Sequence, residues 1–374
     1  MKTTRSIFKL LSLALIISMI TISCDENPEI VTQQDILPES FGVDIPSSIS
    51  NPNLVSGGRT SGRAEEDFSG DDIYEHLGFF IAVGEGASEL VEAIIIGIGQ
   101  FNIQSIQTLT YTSDDDGRDK NMVVLQDVTF EGTIWEYQLT ITDADSEGNQ
   151  DGGNAMQVFW NNSPVKGIAI LKPFNIDRLH DADAGEAIYR VDYSEVSDLL
   201  EYDSHMEVSI SDLPLAHPDE DQFSLRTMRM FAGKKGDVVD VYGNSSHPNA
   251  KFFTDNTGFN WAFVASGSDS QDIGVAEVGL PPSDLNSDDR DVLLGDYAIR
   301  DVFTDEITDA FPLITDAQLD ALLVNTNPPG YFDKDGFLNG GTSPGDAWNP
   351  LADRLNDLTP YNPLETSNLE VMFK

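Results

Sequence analysis

Cysteine is almost absent from this chain: one residue, Cys24, in 374. A single cysteine excludes an intramolecular disulfide framework and a cysteine-built metal site. Cations are scarce as well, with 21 Lys and Arg against 64 Asp and Glu and a formal net charge of −43. A surface of that sign repels phosphates and anionic headgroups, which excludes nucleic-acid binding and adhesion to a membrane through a basic patch. The five histidines, His76, His180, His205, His217 and His247, never fall at the short helical spacing of a zinc site. No Gly-x-Ser-x-Gly elbow occurs, and neither Gly84-Glu85-Gly86 nor Gly97-Ile98-Gly99 completes a nucleotide-binding glycine loop. No internal repeat is evident. Among the 64 acids nothing singles out a catalytic pair.

Long apolar runs are missing too. The N-terminal run over residues 10–22 spans ~20 Å as a helix, short of the ~30 Å hydrocarbon core. It follows a basic start carrying Lys2, Arg5 and Lys9, and it ends in Thr21-Ile22-Ser23-Cys24. A basic region, a short apolar region and a small residue before a cut describe a secretory signal. The run resembles a bacterial lipoprotein signal with its lipobox. Ile22 and Ser23 fit that pattern, whereas Thr21 stands where an aliphatic residue is commoner. The resemblance implies cleavage before Cys24, acylation of Cys24, and a lipid-anchored protein of the cell envelope, most naturally in the outer membrane. The alternative is an ordinary secretory signal with an incidental cysteine. Asp25 and Glu26 resemble an inner-membrane retention signal in one bacterial convention and a surface-display signal in another. The membrane is then the first partner, held through lipid on Cys24.

Loss of residues 1–23 removes three cations and no acid, so the formal charge moves from −43 to −46. With 40% apolar and 9% aromatic residues, the rest has the material for a proper core. Residues 24–70 read as the lipidated cysteine and a flexible linker, rich in Pro, Ser, Asn and Gly. Residues 71–100 read as a helix apolar on most sides, with Glu85, Glu89 and Glu92 in one acidic stripe. Gly84 and Gly86 predict a break into two pieces. From residue 105 to 280 the period becomes two, as in Trp135, Tyr137, Leu139 and Ile141 against Glu136, Gln138, Thr140 and Thr142. About eleven strands joined by short polar loops predict an antiparallel sheet. Residues 281–374 change character. Thr315-Asp316-Ala317-Gln318 is a capping box, Asn349-Pro350 opens another helix, and residues 369–373 suggest a last strand.

One loop has a ligand-like pattern. Asp143-x-Asp145-x-Glu147-Gly148-x-x-Asp151 sets oxygens on alternate residues with a glycine at the turn. It reads either as a calcium site, with Asp143, Asp145, Glu147 and Asp151 as ligands, or as a solvated hairpin loop. Asp333-x-Asp335-Gly336 and Asp114-Asp115-Asp116-Gly117 are weaker versions.

The fold expected is mainly β with α: an antiparallel β meander, half-barrel or sandwich, over residues 71–280. It packs around one N-terminal helix and carries a helical and loop appendage over 281–374. A helix followed by a long meander resembles the half-barrel of lipoprotein-carrier and apolar-ligand-binding envelope proteins. That architecture implies a non-catalytic binding module for an apolar ligand or an envelope protein partner. The alternatives are a secreted glycan or peptide hydrolase and a structural or adhesive surface subunit.

Overall fold

The computed structural model describes residues 37–38, 40–50, 70–99, 107–179, 185–196, 201–217, 224–251 and 257–374. The signal segment, Cys24 and most of the expected linker lie outside them.

Thirteen strands form one antiparallel sheet in strict chain order, so each pairs only with its sequence neighbours. They are β1 (Gln107–Thr112), β2 (Asp119–Phe130), β3 (Thr133–Asp143), β4 (Asn154–Asn162), β5 (Val165–Leu171), β6 (Ile188–Ser194) and β7 (Ser204–Ser211). Then come β8 (Thr227–Lys235), β9 (Val238–Lys251), β10 (Thr257–Ser268), β11 (Ile273–Gly279), β12 (Gly330–Asp333) and β13 (Gly336–Gly340). The sheet is open: β1 and β13 end the order and do not pair with each other. Eleven of these strands fall where the two-residue period predicts them. The turn between β2 and β3 holds Glu131 at φ 48° and Gly132 at φ 77°, the paired positive φ that a tight hairpin turn requires.

Helix α1 (Gly70–Gly99) lies against the inner face and packs on β6, β7, β8 and β13. Six strand spacings separate β7 from β13, about 29 Å on a flat sheet at ~4.8 Å each. A helix about 10 Å across reaches both only if the sheet curls around it. Val158 and Trp160 of β4, Val191 and Tyr193 of β6 and Met228 and Met230 of β8 share one core with Leu77, Ile81, Val91 and Ile95 of α1. Alternation by two and burial on nearly all sides of the helix are one fact seen from its two partners.

Three sequence expectations change. First, α1 runs unbroken through Gly84 and Gly86. A Cβ on Gly84 would sit 2.5 Å from Met230 Cε, so this glycine brings the helix backbone close to the sheet rather than ending the helix. Second, Trp135 leaves the face of Tyr137, Leu139 and Ile141. It joins Phe130, Phe159, Ile168, Ile170 and Val371 in a cluster on the other side of the sheet. The change of side falls opposite Asp127, whose φ of 52° interrupts the regular pleat of β2. Third, residues 40–50, expected within the linker, are packed extended chain and turn. Phe41, Val43, Ile45 and Ile49 are buried in the core beside α1.

The C-terminal region is partly sheet. β12 and β13 extend the meander, where the Pro and Gly of 328–330 and 339–341 suggest only loops. A π-helical turn (Asp291–Asp296) and α3 (Ile299–Ala310) follow β11, and α4 (Asp316–Leu322) starts at the expected Thr315–Gln318 capping box. After β13, α5 (Asn349–Leu355) places Leu351 and Leu355 on the outer face against Ala262, Val264 and Val275. α6 (Pro363–Ser367) packs on β8, β9 and β10. Residues 369–373 form no strand, and Val371 fills the Trp135 cluster instead.

Candidate functional site: a polar pocket beside the β3–β4 turn

The pocket sits at one end of β2–β5. A short 3₁₀ turn (Ala144–Ser146) follows β3, and Asp143 caps it by accepting the Asp145 N–H. After β5 the chain turns at Lys172 into the single helical turn α2 (Pro173–Ile176), where proline at the first position favours the turn. Asn149, Gln150, Asp151, Lys172, Phe174, Asn175, Arg178 and Glu186 line a hollow of about 530 Å³.

Two ion networks build its floor. In the first, Asp143 is fully buried and receives Arg118 through Nε at 2.8 Å and Nη2 at 3.0 Å. Arg178 Nε lies 3.4 Å away and Lys120 Nζ 3.6 Å away. Lys120 is itself buried, donating at 3.0 Å both to Asp116 and to the Asn175 carbonyl. Burial alone would raise the Asp143 carboxyl. The Arg118 hydrogen bonds and the charges of Lys120, Arg118 and Arg178 outweigh it and hold the group below the usual carboxylate range.

In the second network, Lys172 bridges Asp151 at 2.9 Å and Glu186 at 2.8 Å. Asn175 Nδ2 also donates to Asp151 at 3.0 Å and to the Asn154 carbonyl at 2.6 Å. Burial opposes ionisation of Asp151, but Lys172, Asn175 and the Gly153 amide bring it down to about 2. Lys172 is pushed up in turn: burial favours the neutral amine, and Glu186 and Asp151 more than reverse that. Arg178 ties the networks together by donating to Ser146 Oγ at 2.8 Å and Asn175 Oδ1 at 2.6 Å, with its guanidinium 4.2 Å from the centre of the Phe174 ring.

Asp143, Asp145, Glu147 and Asp151, the ligands of the calcium reading, each have different surroundings. Asp143 faces three cations, Asp145 points to solvent, Glu147 accepts from Asn121 Nδ2 at 2.7 Å, and Asp151 is bound to Lys172. Among the described residues no group of three or more His, Cys, Asp or Glu side chains is placed to hold a metal. The oxygens of Asp143 and Asp151 are met by ammonium and guanidinium groups from upstream and downstream segments. Asp333 and Asp335 form the β12–β13 turn, where Asp333 Oδ1 accepts the Asp335 N–H at 2.8 Å.

Sequence reasoning missed Lys172, Phe174, Asn175, Arg178 and Glu186. The available signal was the scarcity of cations: in so acidic a chain, Arg118, Lys120, Lys172 and Arg178 converge on one turn. No family model, curated protein or solved structure matches the chain.

Proposed function

We propose that the chain is a cell-envelope lipoprotein whose folded domain is a non-catalytic binding module for a polar segment of an envelope protein partner. The anchor is the lipid on Cys24, in the outer membrane, facing either the periplasm or the surface. The observation that carries the binding reading away from an apolar ligand is that, among the described residues, the inner face is filled. α1 and residues 40–50 occupy the hollow of the sheet. The cleft left between Leu37, Pro38, Ile95, Leu139, Val158 and Trp160 is too narrow for a water molecule. Pockets for ligands of ordinary size run to ~300–1,000 Å³. The hollow at Phe174, Arg178 and Glu186 has that size and is lined by amides, charges and one aromatic ring. Its acids favour binding over hydrolysis: Asp151 and Glu186 both grip Lys172, and a carboxyl held near 2 is a poor proton donor at neutral pH.

A photo-crosslinking residue at the exposed Gln150, in cells carrying the full precursor, tests the reading. A discrete adduct that disappears with Glu186→Lys is the expected result. An adduct indifferent to that reversal, or none, overturns it. Anchoring is checked separately, since Cys24→Ala should move the protein out of the membrane fraction.

A further inference from the structure

Residues 40–50 are held in an unusual way for buried chain. They add no rung to the sheet among the described residues; Ile49 and Ser50 turn back on the Pro46 carbonyl, and side chains meet the amides of Phe41, Val43 and Ile45. Phe41 N–H donates to Glu92 Oε1 at 3.3 Å, Val43 N–H to Met206 Sδ at 3.3 Å, and Ile45 N–H to Glu85 Oε1 at 2.9 Å. Ser50 Oγ donates to the other Glu85 oxygen at 2.8 Å. Glycines shape the seat: a Cβ on Gly167 would press on the Phe41 ring at 2.7 Å, and one on Gly274 would collide with Ile49. The fit is imperfect in one place, because the buried Ser48 hydroxyl finds no partner among the described residues. Side-chain clamps, glycine slots and an orphan hydroxyl describe an extended peptide lying in a groove.

We propose that residues 40–50 are a releasable strap seated in a peptide groove between α1 and the sheet, with Glu85 as its latch. The groups around Glu85 set the direction of release. Glu89 and Glu92 share its helix face, Asp44 comes from the strap, Tyr193 of β6 faces Glu92 and Asp44, Met206 of β7 meets the Val43 amide, and Met228 and Met230 of β8 lie against Gly84. Burial first, then Glu89 and Asp44, push the Glu85 carboxyl up to about 7, although Ile45 and Ser50 pull the other way. With the strap gone the carboxyl meets water and returns towards its ordinary value of 4.5. Seating therefore takes up a proton. The favourable contribution is complete below the ordinary value and is lost as pH rises through about 7.

Release also changes reach, a consequence that rests on anchoring at Cys24. A seated strap leaves 16 residues from Asp25 to Ser40, at most about 55 Å of chain. A free strap leaves 46 residues to Gly70, at most about 160 Å. Strap seating is thus a control on how far the domain stands from its membrane.

Hydrogen exchange on the full mature chain carrying Cys24→Ala tests the strap without depending on the anchor. Protection of the Ile45 amide, corrected for intrinsic exchange, is expected to fall roughly thirtyfold from pH 5.5 to pH 8. The Met230 amide in β8 serves as the core reference and should not follow. Glu85→Gln keeps an acceptor for Ile45 and should hold protection at the acid level throughout. If Ile45 opens only together with Met230, or its protection is flat with pH in the parent chain, the strap is fixed core and the proposal fails. The parent pH series decides the matter even if the variant does not fold.

Discussion

Single side chains on α1 separate two kinds of surface, an apolar one and an acidic stripe. Ile95 is 3% exposed and packed in the main core, whereas Glu89, six residues earlier, faces solvent. Ile95→Ala should cost about 2–5 kcal/mol in urea unfolding, and Glu89→Ala close to nothing. Similar losses for the two would mean that the helix does not occupy the sheet. Asp143 makes a sharper case, because Arg118, Lys120 and Arg178 all converge on its one carboxylate. Asp143→Ala removes the buried carboxylate that Arg118 and Arg178 share, leaving Lys120 only Asp116, and should cost about 3 kcal/mol, the low end of the range for breaking a buried pair, because both guanidinium groups keep some solvent. Asp143→Asn, with shape kept and charge lost, should recover only part of that. The sequence names Asp143 as a residue of interest but does not show the cations around it. Ligand spacing is local, while its cations come from 25 residues before and 35 residues after.

At the level of elements, the strands were legible because burial on one face writes a period of two into the chain. Eleven of the thirteen could be placed that way. β12 and β13 could not, since they are short and made largely of Gly, Asn and Asp, residues that read as turn. Nor could the strap over 40–50, whose backbone is satisfied by carboxylates some forty to fifty positions away. The unbroken course of α1 was hidden for a related reason: helix propensity counts the backbone freedom of Gly84 and not the methionines above it. The same logic gives a prediction at Gly279, the last residue of β11. A methyl there would collide with the Leu293 carbonyl of the π-helical turn, which cannot rotate aside as a side chain does. Gly279→Ala should destabilise by about 1–3 kcal/mol and should loosen amide protection in 291–296 first.

For the whole molecule, acid stability has two opposed contributions. Burial opposes ionisation of Asp116, Asp143 and Asp151, but cation contacts and hydrogen bonds overcome it and hold all three below the ordinary range. Their contribution is present above the ordinary carboxylate value and is lost as pH falls through the lowered ones, towards about 2 for Asp151. Glu85 acts oppositely between 4.5 and about 7. A melting-temperature series should therefore rise slightly on acidification from pH 8 to pH 5 and then drop steeply below pH 4. Calcium should leave that series unmoved, since Asp143 and Asp151 are already neutralised by cations; a rise of several degrees with calcium, abolished by Asp145→Ala, would restore the metal reading.

The strict chain order of the meander also bears on how the molecule is assembled as it emerges N-terminus first. Each new strand finds its partner already waiting, so the hairpins demand little search. The helix has no such luck. Its seat is made by β6, β7, β8 and β13; β8 ends at Lys235, some 135 residues after α1 is complete, and β13 only at Gly340. Until that length has appeared, a 30-residue helix apolar on most sides is only partly covered. The early chain is thus a natural client for a holding chaperone, and its most vulnerable moment comes in the interval before β8.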